Sequence, residues 1–276
     1  MRILKFSFLV LLLIPSIGIF AWGDKGHKVI AQFSMNLLPY QIKITNDMKA
    51  SIIEHSVDPD SRKKDDKSEG PKHFIDIDSF KEFLDGQIIT SRDSLTKLYG
   101  GDAIIENGIL PWATVDTFQK LVEAFKSKNK KEIILYMSDL AHYVGDGHQP
   151  QHATINYNGA LTGQKGIHMR YESGMIDVNL EQIKNSFTKQ TPYYVKNVLE
   201  YVFNYILESN SYLEVILSAD KYASKKTNGN FNNDYYRLFW FRTKYVTVNQ
   251  FNSAGLSLAS LIYTAWKDAG KPDLGK

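Results

Sequence analysis

Gly26-His27-Lys28-Val29-Ile30-Ala31-Gln32-Phe33-Ser34-Met35-Asn36-Leu37 is the stretch on which the fold class turns. Val29, Ile30, Phe33 and Leu37 recur at helical spacing and Pro39 closes the run, so one face of a helix is apolar. Residues 41–56 repeat the pattern with Ile42, Ile44, Met48, Ile52 and Ile53. Residues 57–71 are polar, charged and proline-bearing, the composition of a loop. Further helical windows run over residues 112–126, 130–145, 192–217 and 249–266, and strand-like alternation is nowhere sustained. The expectation is a single all-α domain of several packed helices. Residues 147–165 hold Gly, Asn, Pro and Gln without periodicity, a loop long enough to be functional or disordered. Residues 267–276 read as a frayed surface tail.

The 276 residues, 43% hydrophobic and 23% charged, suffice to bury a full core. There is no cysteine, which excludes disulfides, thiolate zinc sites, iron–sulfur clusters and a cysteine nucleophile. A formal charge of +3 is too small to mark a nucleic-acid-coating protein. Met1-Arg2-Ile3-Leu4-Lys5 makes a basic start, residues 6–20 are apolar around Pro15, and Ala21 is a small residue suited to cleavage. About 15 apolar residues are short for a span of about 20, so residues 1–21 read as a signal peptide and the protein as secreted or periplasmic. Cleavage removes Arg2 and Lys5 and no acid, leaving 31 basic against 30 acidic side chains in residues 22–276, a net of +1.

The seven histidines, His27, His55, His73, His142, His148, His152 and His168, carry the remaining chemistry. In a helix, His142 and Asp146 stand at i and i+4, on one face and within reach of one metal. His168 and Glu172 repeat that spacing. One such pair is more often a helix-surface hydrogen bond or a satisfied core histidine. Two pairs, with His73 and His152 in polar segments, point to a metal centre built from imidazole and carboxylate.

Trp22-Gly23-Asp24-Lys25-Gly26-His27, Val57-Asp58, His73-Phe74-Ile75-Asp76, the segment from His142 to His152, and His168 to Glu172 together resemble the zinc-dependent single-strand nucleases of the S-one/P-one family. That family shares a superfamily with bacterial zinc phospholipase C. The resemblance implies the all-α fold of that superfamily over residues 22–276, and three zinc ions. Asp58, His73, His142 and Asp146 would hold one ion. Asp146, His27 and the free α-amino group and carbonyl of Trp22 would hold a second, and His152, His168 and Glu172 a third. The family's reaction is hydrolysis of single-stranded RNA or DNA to 5′-phosphorylated products by a zinc-activated water, with Asp58 as the catalytic carboxylate that orients or deprotonates it. Phe74 and Asp76 would bind the base by stacking and hydrogen bonding.

The chain departs from the family in places. The nucleases often carry a basic residue three positions after the metal-binding Asp, where Ser61 follows Asp58. Glu172 stands where the nucleases usually have Asp and the phospholipases Glu. The step from Trp22 to His27 and the Gly26-His27 pair lean to the nuclease. Phospholipid is therefore the alternative substrate, and a mouth lined with apolar side chains would favour it. A non-catalytic protein with a structural zinc cluster is the third reading. Neither an obligate protein partner nor a membrane span after the signal is expected.

Overall fold

A computed structural model describes residues 22–275; the expected signal peptide, residues 1–21, lies outside them. The described residues form one all-α domain with no strand. In chain order the helices are α1 (Gly23–Leu37), α2 (Asn46–His55), α3 (Asp58–Arg62), α4 (Lys81–Leu84), α5 (Arg92–Tyr99), α6 (Gly101–Glu106), α7 (Leu110–Ser127), α8 (Lys130–Gly147), α9 (Ile167–Met169), α10 (Ile176–Lys184), α11 (Val198–Ser211), α12 (Leu213–Lys226) and α13 (Asn233–Asp268). Side-chain caps mark several starts. Thr45 accepts from Met48 N ahead of α2, Asn129 from Glu132 N ahead of α8, and Asn232 from Tyr235 N ahead of α13. None of these helices is long and apolar enough to cross a membrane.

Three buried clusters divide the interior. Ala31 and Met35 of α1 pack with Phe118 and Phe125 of α7, Leu140 and Val144 of α8, and Leu258 and Ile262 of α13. Trp22 and Ile30 join Tyr171, Ile216, Tyr235, Phe239 and Phe251 in a second cluster. Ile75, Trp112, Tyr143 and Phe203 belong to a third. Helix α8 therefore faces the first cluster through Val144 and the third through Tyr143, and its C-terminal turn lies where the clusters meet. Trp22 is fully buried, with its ring 4.7 Å from that of Phe251, a pair worth roughly 1 kcal/mol beyond its area.

The structure departs from the sequence expectations at several points. Residues 57–71 hold α3 and a 3₁₀ turn, Gly70–His73, because Pro59 falls in the first helical turn, where no amide donor is required. In the window 192–217 helix begins only at Val198 and is broken at Tyr212, and the second helix runs on to Lys226. Helix α13 begins sixteen residues earlier than its apolar stripe, at Asn233, because aromatic side chains surround its first turns and blur the period. The terminal segment is docked: Leu274 is buried, the Trp266 indole donates to Pro272 O at 3.0 Å, and Lys43 pairs with Asp273 at 2.9 Å.

Candidate metal centre

Six segments bring their donors to one buried place. Helix α1 supplies His27, α3 Asp60, the Gly70–His73 turn His73, and the last turns of α8 His142 and Asp146. The 3₁₀ turn Pro150–Ala153 supplies His152, while His168 on α9 and Glu172 on the π-helical turn Arg170–Met175 come from one continuous segment. All eight side chains are buried. The i, i+4 spacing works as the sequence implies, with His142 Nε2 3.4 Å from Asp146 Oδ2 and His168 Nε2 3.0 Å from Glu172 Oε2. The segment carrying Glu172 is anchored from behind, where Arg170 donates to Asp220 at 3.0 Å and to the carbonyls of Lys165 and Gln164.

Donors on a tetrahedral zinc at about 2.0 Å stand roughly 3.3 Å apart, which is a ruler for these contacts. His73 Nδ1 lies 3.0 Å from His142 Nε2, 3.0 Å from Asp146 Oδ2 and 3.5 Å from Asp60 Oδ1. His142 Nε2 lies 3.6 Å from Asp60 Oδ1. His73, His142 and Asp146 converge on one point, and Asp60 stands beside it against both imidazoles. His152 Nε2, His168 Nε2 and Glu172 Oε2 form a triangle with edges of 3.0, 3.0 and 3.7 Å. These three donors could hold one metal ion. His27 Nε2 reaches Asp146 Oδ1 at 3.4 Å, and His27, Asp60 and His142 also present donors within 4.8 Å of one another.

Hydrogen bonding fits the donors to cations. The Ser56 carbonyl only accepts, so His142 Nδ1, 2.9 Å away, carries the hydrogen and the Nε2 lone pair of the neutral ring faces the cluster. His73 O, 2.6 Å from His152 Nδ1, fixes the His152 tautomer in the same way. Both ring nitrogens of His27, both oxygens of Asp146, Asp60 Oδ2 and His73 Nε2 are buried without a hydrogen bond. Orphaned donors and acceptors at this density are costly unless a metal ion takes them up. The buried carboxylates draw positive charge into the centre. Burial opposes a charged His142, yet Asp146 and Asp60 outweigh it and lift its pKa to about 9. Burial would likewise raise Asp146, but His142 and His152 hold it well below the ordinary carboxylate range. Burial pushes His168 down to about 4 and Glu172 up to about 7.

Asp58 is not in this centre. Its side chain is 49% exposed and bonds to His55 Nδ1 at 2.8 Å, whereas Asp60 is 2% exposed and faces His73 and His142. Two positions apart on α3, the two carboxylates point to nearly opposite sides, and only Asp60 turns inward. His148 stacks on Tyr205 at 4.3 Å, bonds to Val144 O, and burial lowers its pKa to about 4, so it is a neutral core residue. Trp22 is buried beside the centre, its indole donating to Gly145 O at 2.7 Å. Phe74 and Asp76 are half-buried on the strand-like segment whose Ile75 N donates to His152 O at 2.9 Å.

Sequence reading missed three nearby groups. Lys63 pairs with Asp60, so it is not part of a purely solvated loop. Buried Glu69 accepts from the Tyr143 hydroxyl, pairs with Lys72 at 2.9 Å and stands 3.6 Å from His73 Nε2; its i, i+4 spacing to His73 was a readable signal. Gln149 Nε2 approaches Glu172 Oε2 at 3.4 Å.

Two predictions follow from this packing. A Cβ at Gly145 would lie 2.8 Å from His27 Nδ1 and 2.9 Å from its Cε1, and one face of the ring is stacked on buried His142 at 4.0 Å. Gly145→Ala therefore displaces His27, costs about 1–3 kcal/mol in denaturant unfolding, and lowers metal content; unchanged stability and metal content would refute the contact. Asp76 has its pKa raised to about 7 by burial and then by Asp78. The folded state then holds a proton that the unfolded chain releases, so this group's contribution to stability falls as pH rises from about 4 to about 7. Asp76→Asn removes that dependence. Its melting temperature relative to wild type rises between pH 4 and pH 8, and a difference constant with pH would contradict the assignment.

In comparisons with known proteins, the chain matches no protein-family model and no curated sequence.

Proposed function

We propose that this chain is a secreted three-zinc phosphodiesterase that hydrolyses single-stranded RNA or DNA to 5′-phosphorylated products. The observation that carries the reading is the pair of buried donor sets, Asp60/His73/His142/Asp146 and His152/His168/Glu172, joined through Asp146 and left with orphaned donor atoms. The third ion is assigned to His27, Asp146 and the α-amino group and carbonyl of Trp22, a role that requires cleavage after Ala21. Bound zinc ions supply an acidified water as nucleophile and offset charge on the phosphate.

The protein groups do the rest. Asp60 takes the role that the resemblance implied for Asp58, with Oδ2 available to orient the attacking water. Lys63 stands three positions after Asp60, where the resembling nucleases often carry a basic residue, and its ammonium can turn from Asp60 to a non-bridging phosphate oxygen. Three divalent ions against Asp60, Asp146 and Glu172 leave a surplus of about +3, which focuses attraction for an anionic substrate at the centre although residues 22–276 are nearly neutral. Near neutral pH the Asp76 carboxyl exists in both protonation states and can donate to or accept from a base edge, with Phe74 offering a ring beside it.

A zinc phospholipase C is the second reading. Exposed Ile155 and Tyr157, the latter with its ring edge-on to His168 at 5.5 Å, place apolar surface beside the triangle of donors, which suits acyl chains. Protein purified with Trp22 at its N-terminus and supplied with zinc is tested on single-stranded RNA, single-stranded DNA and phosphatidylcholine, with and without chelator. Chelator-sensitive cleavage of the nucleic acids is the expected result. Activity on phosphatidylcholine alone selects the second reading, and inactivity on all three overturns both.

A further inference from the structure

Residues 221–245, which span the end of α12, the following loop and the first turns of α13, hold six basic side chains and one acid, a surplus of +5. Since residues 22–276 net +1, everything outside this stretch nets −4. Positive charge is gathered on one part of an otherwise acidic surface.

Aromatic rings stand out within it. Phe241 and Tyr245, at i and i+4 on α13, are 70% and 78% exposed and share one face. Cations flank them on both sides. Arg242 lies 3.7 Å over the ring of Tyr222 on α12, Lys226 is 5.8 Å from the same ring, and Lys244 is 4.8 Å from the ring of Tyr245. Arg237, one turn before Phe241, pairs at 3.3 Å with Asp234, the single acid of the stretch, across solvent that makes the pair weak. The opposite face of α13 is buried, where Thr247 Oγ1 meets the Tyr171 hydroxyl at 3.1 Å, on the turn that carries Glu172. The exposed ridge is thus the outer side of the helix that backs the metal centre.

We propose that this ridge is a docking platform for single-stranded nucleic acid, with bases stacking on Phe241 and Tyr245 and phosphates facing Arg242, Lys244 and Lys226. Stacking rings interleaved with cations match a polymer whose aromatic and anionic groups alternate. A lipid surface would be met by a continuous apolar face, whereas Arg237, Lys244 and Asn249 break the aromatic pair's surroundings into polar intervals. The choice of nucleic acid among polyanions rests on the phosphodiesterase reading. The platform would hold long substrates while one segment occupies the centre.

The test uses zinc-loaded protein, a 12-nucleotide single strand with phosphorothioate linkages for binding, and a dinucleotide for cleavage. Phe241→Ala/Tyr245→Ala and Arg242→Gln/Lys244→Gln change only exposed or half-exposed side chains. Each pair weakens 12-mer binding about tenfold by fluorescence anisotropy and leaves dinucleotide cleavage unchanged. The charge pair also lowers the slope of log affinity against log salt by roughly 0.7 per cation removed. Unchanged 12-mer affinity overturns the platform, as does loss of binding only to phosphatidylglycerol vesicles, which would make the ridge a membrane contact. Wild-type protein that cleaves no phosphodiester but whose 12-mer affinity falls in both variants sinks the hydrolase reading and upholds the platform. Cleavage with 12-mer affinity unaltered by the substitutions does the reverse.

Discussion

Asp60→Asn lowers phosphodiesterase kcat/KM about a thousandfold, on the order of 4 kcal/mol of transition-state stabilisation, while Asp58→Asn stays within about twofold of wild type. The contrast follows from burial and direction. Asp60 faces His73 at 3.5 Å and His142 at 3.6 Å, so the substitution replaces a charged donor by a neutral amide beside both imidazoles. Asp58 is half exposed and pairs with the exposed ring of His55, and such a surface pair contributes at most about 1 kcal/mol. The two variants differ by two positions in sequence and share charge change and volume change, so steady-state kinetics on both separates placement in the centre from a general effect of losing an acid. Equal losses would contradict the assignment of Asp60.

Asp146→Ala has the larger structural consequence. Its two oxygens face different partners, Oδ1 toward His27 at 3.4 Å and Oδ2 toward His73 at 3.0 Å, so in the proposed centre one carboxylate would serve two ion positions. Its removal lowers zinc content from three ions per chain to one, the ion at His152, His168 and Glu172 being the one retained. Stability falls as well, because ions that bind only the folded chain stabilise it, each by about 2.7 kcal/mol at a hundredfold excess over its dissociation constant. Calorimetry in excess zinc should show a lower melting temperature for the variant, with the gap narrowing after chelation of both proteins. A gap that chelation leaves untouched would mean that Asp146 acts in packing alone.

Periodicity exposed α1, α7 and α8 because each buries an apolar stripe: Val29, Ile30 and Phe33 in the first, Phe118 and Phe125 in the second, Leu140 and Val144 in the third. It was silent where packing is not one-sided. Around the first turns of α13, Tyr235, Phe239 and Trp240 are buried while Phe241 and Tyr245 are exposed, so apolarity does not mark the inward face. The short helices between residues 81 and 106 are held by local turns and a few contacts, too brief for a period to develop. In the centre, the i, i+4 pairs were legible because helix geometry alone brings His142 to Asp146 and His168 to Glu172, the second across a π-turn. Choosing between Asp58 and Asp60 needed the entry direction of α3, which Pro59 and the packing of the His73 turn set together. Lys63 stands three positions after Asp60 and pairs with it, a spacing that counting from Asp58 hides.

The central claim is that the buried cluster is a polynuclear zinc centre that drives phosphodiester hydrolysis. Its most direct test is elemental analysis of protein beginning at Trp22, stripped by chelator and titrated with zinc while cleavage of single-stranded RNA is followed. Three zinc ions per chain, with activity lost on stripping and regained in step with their return, is the predicted result. Protein that binds no zinc, or that cleaves equally well when stripped, would contradict it.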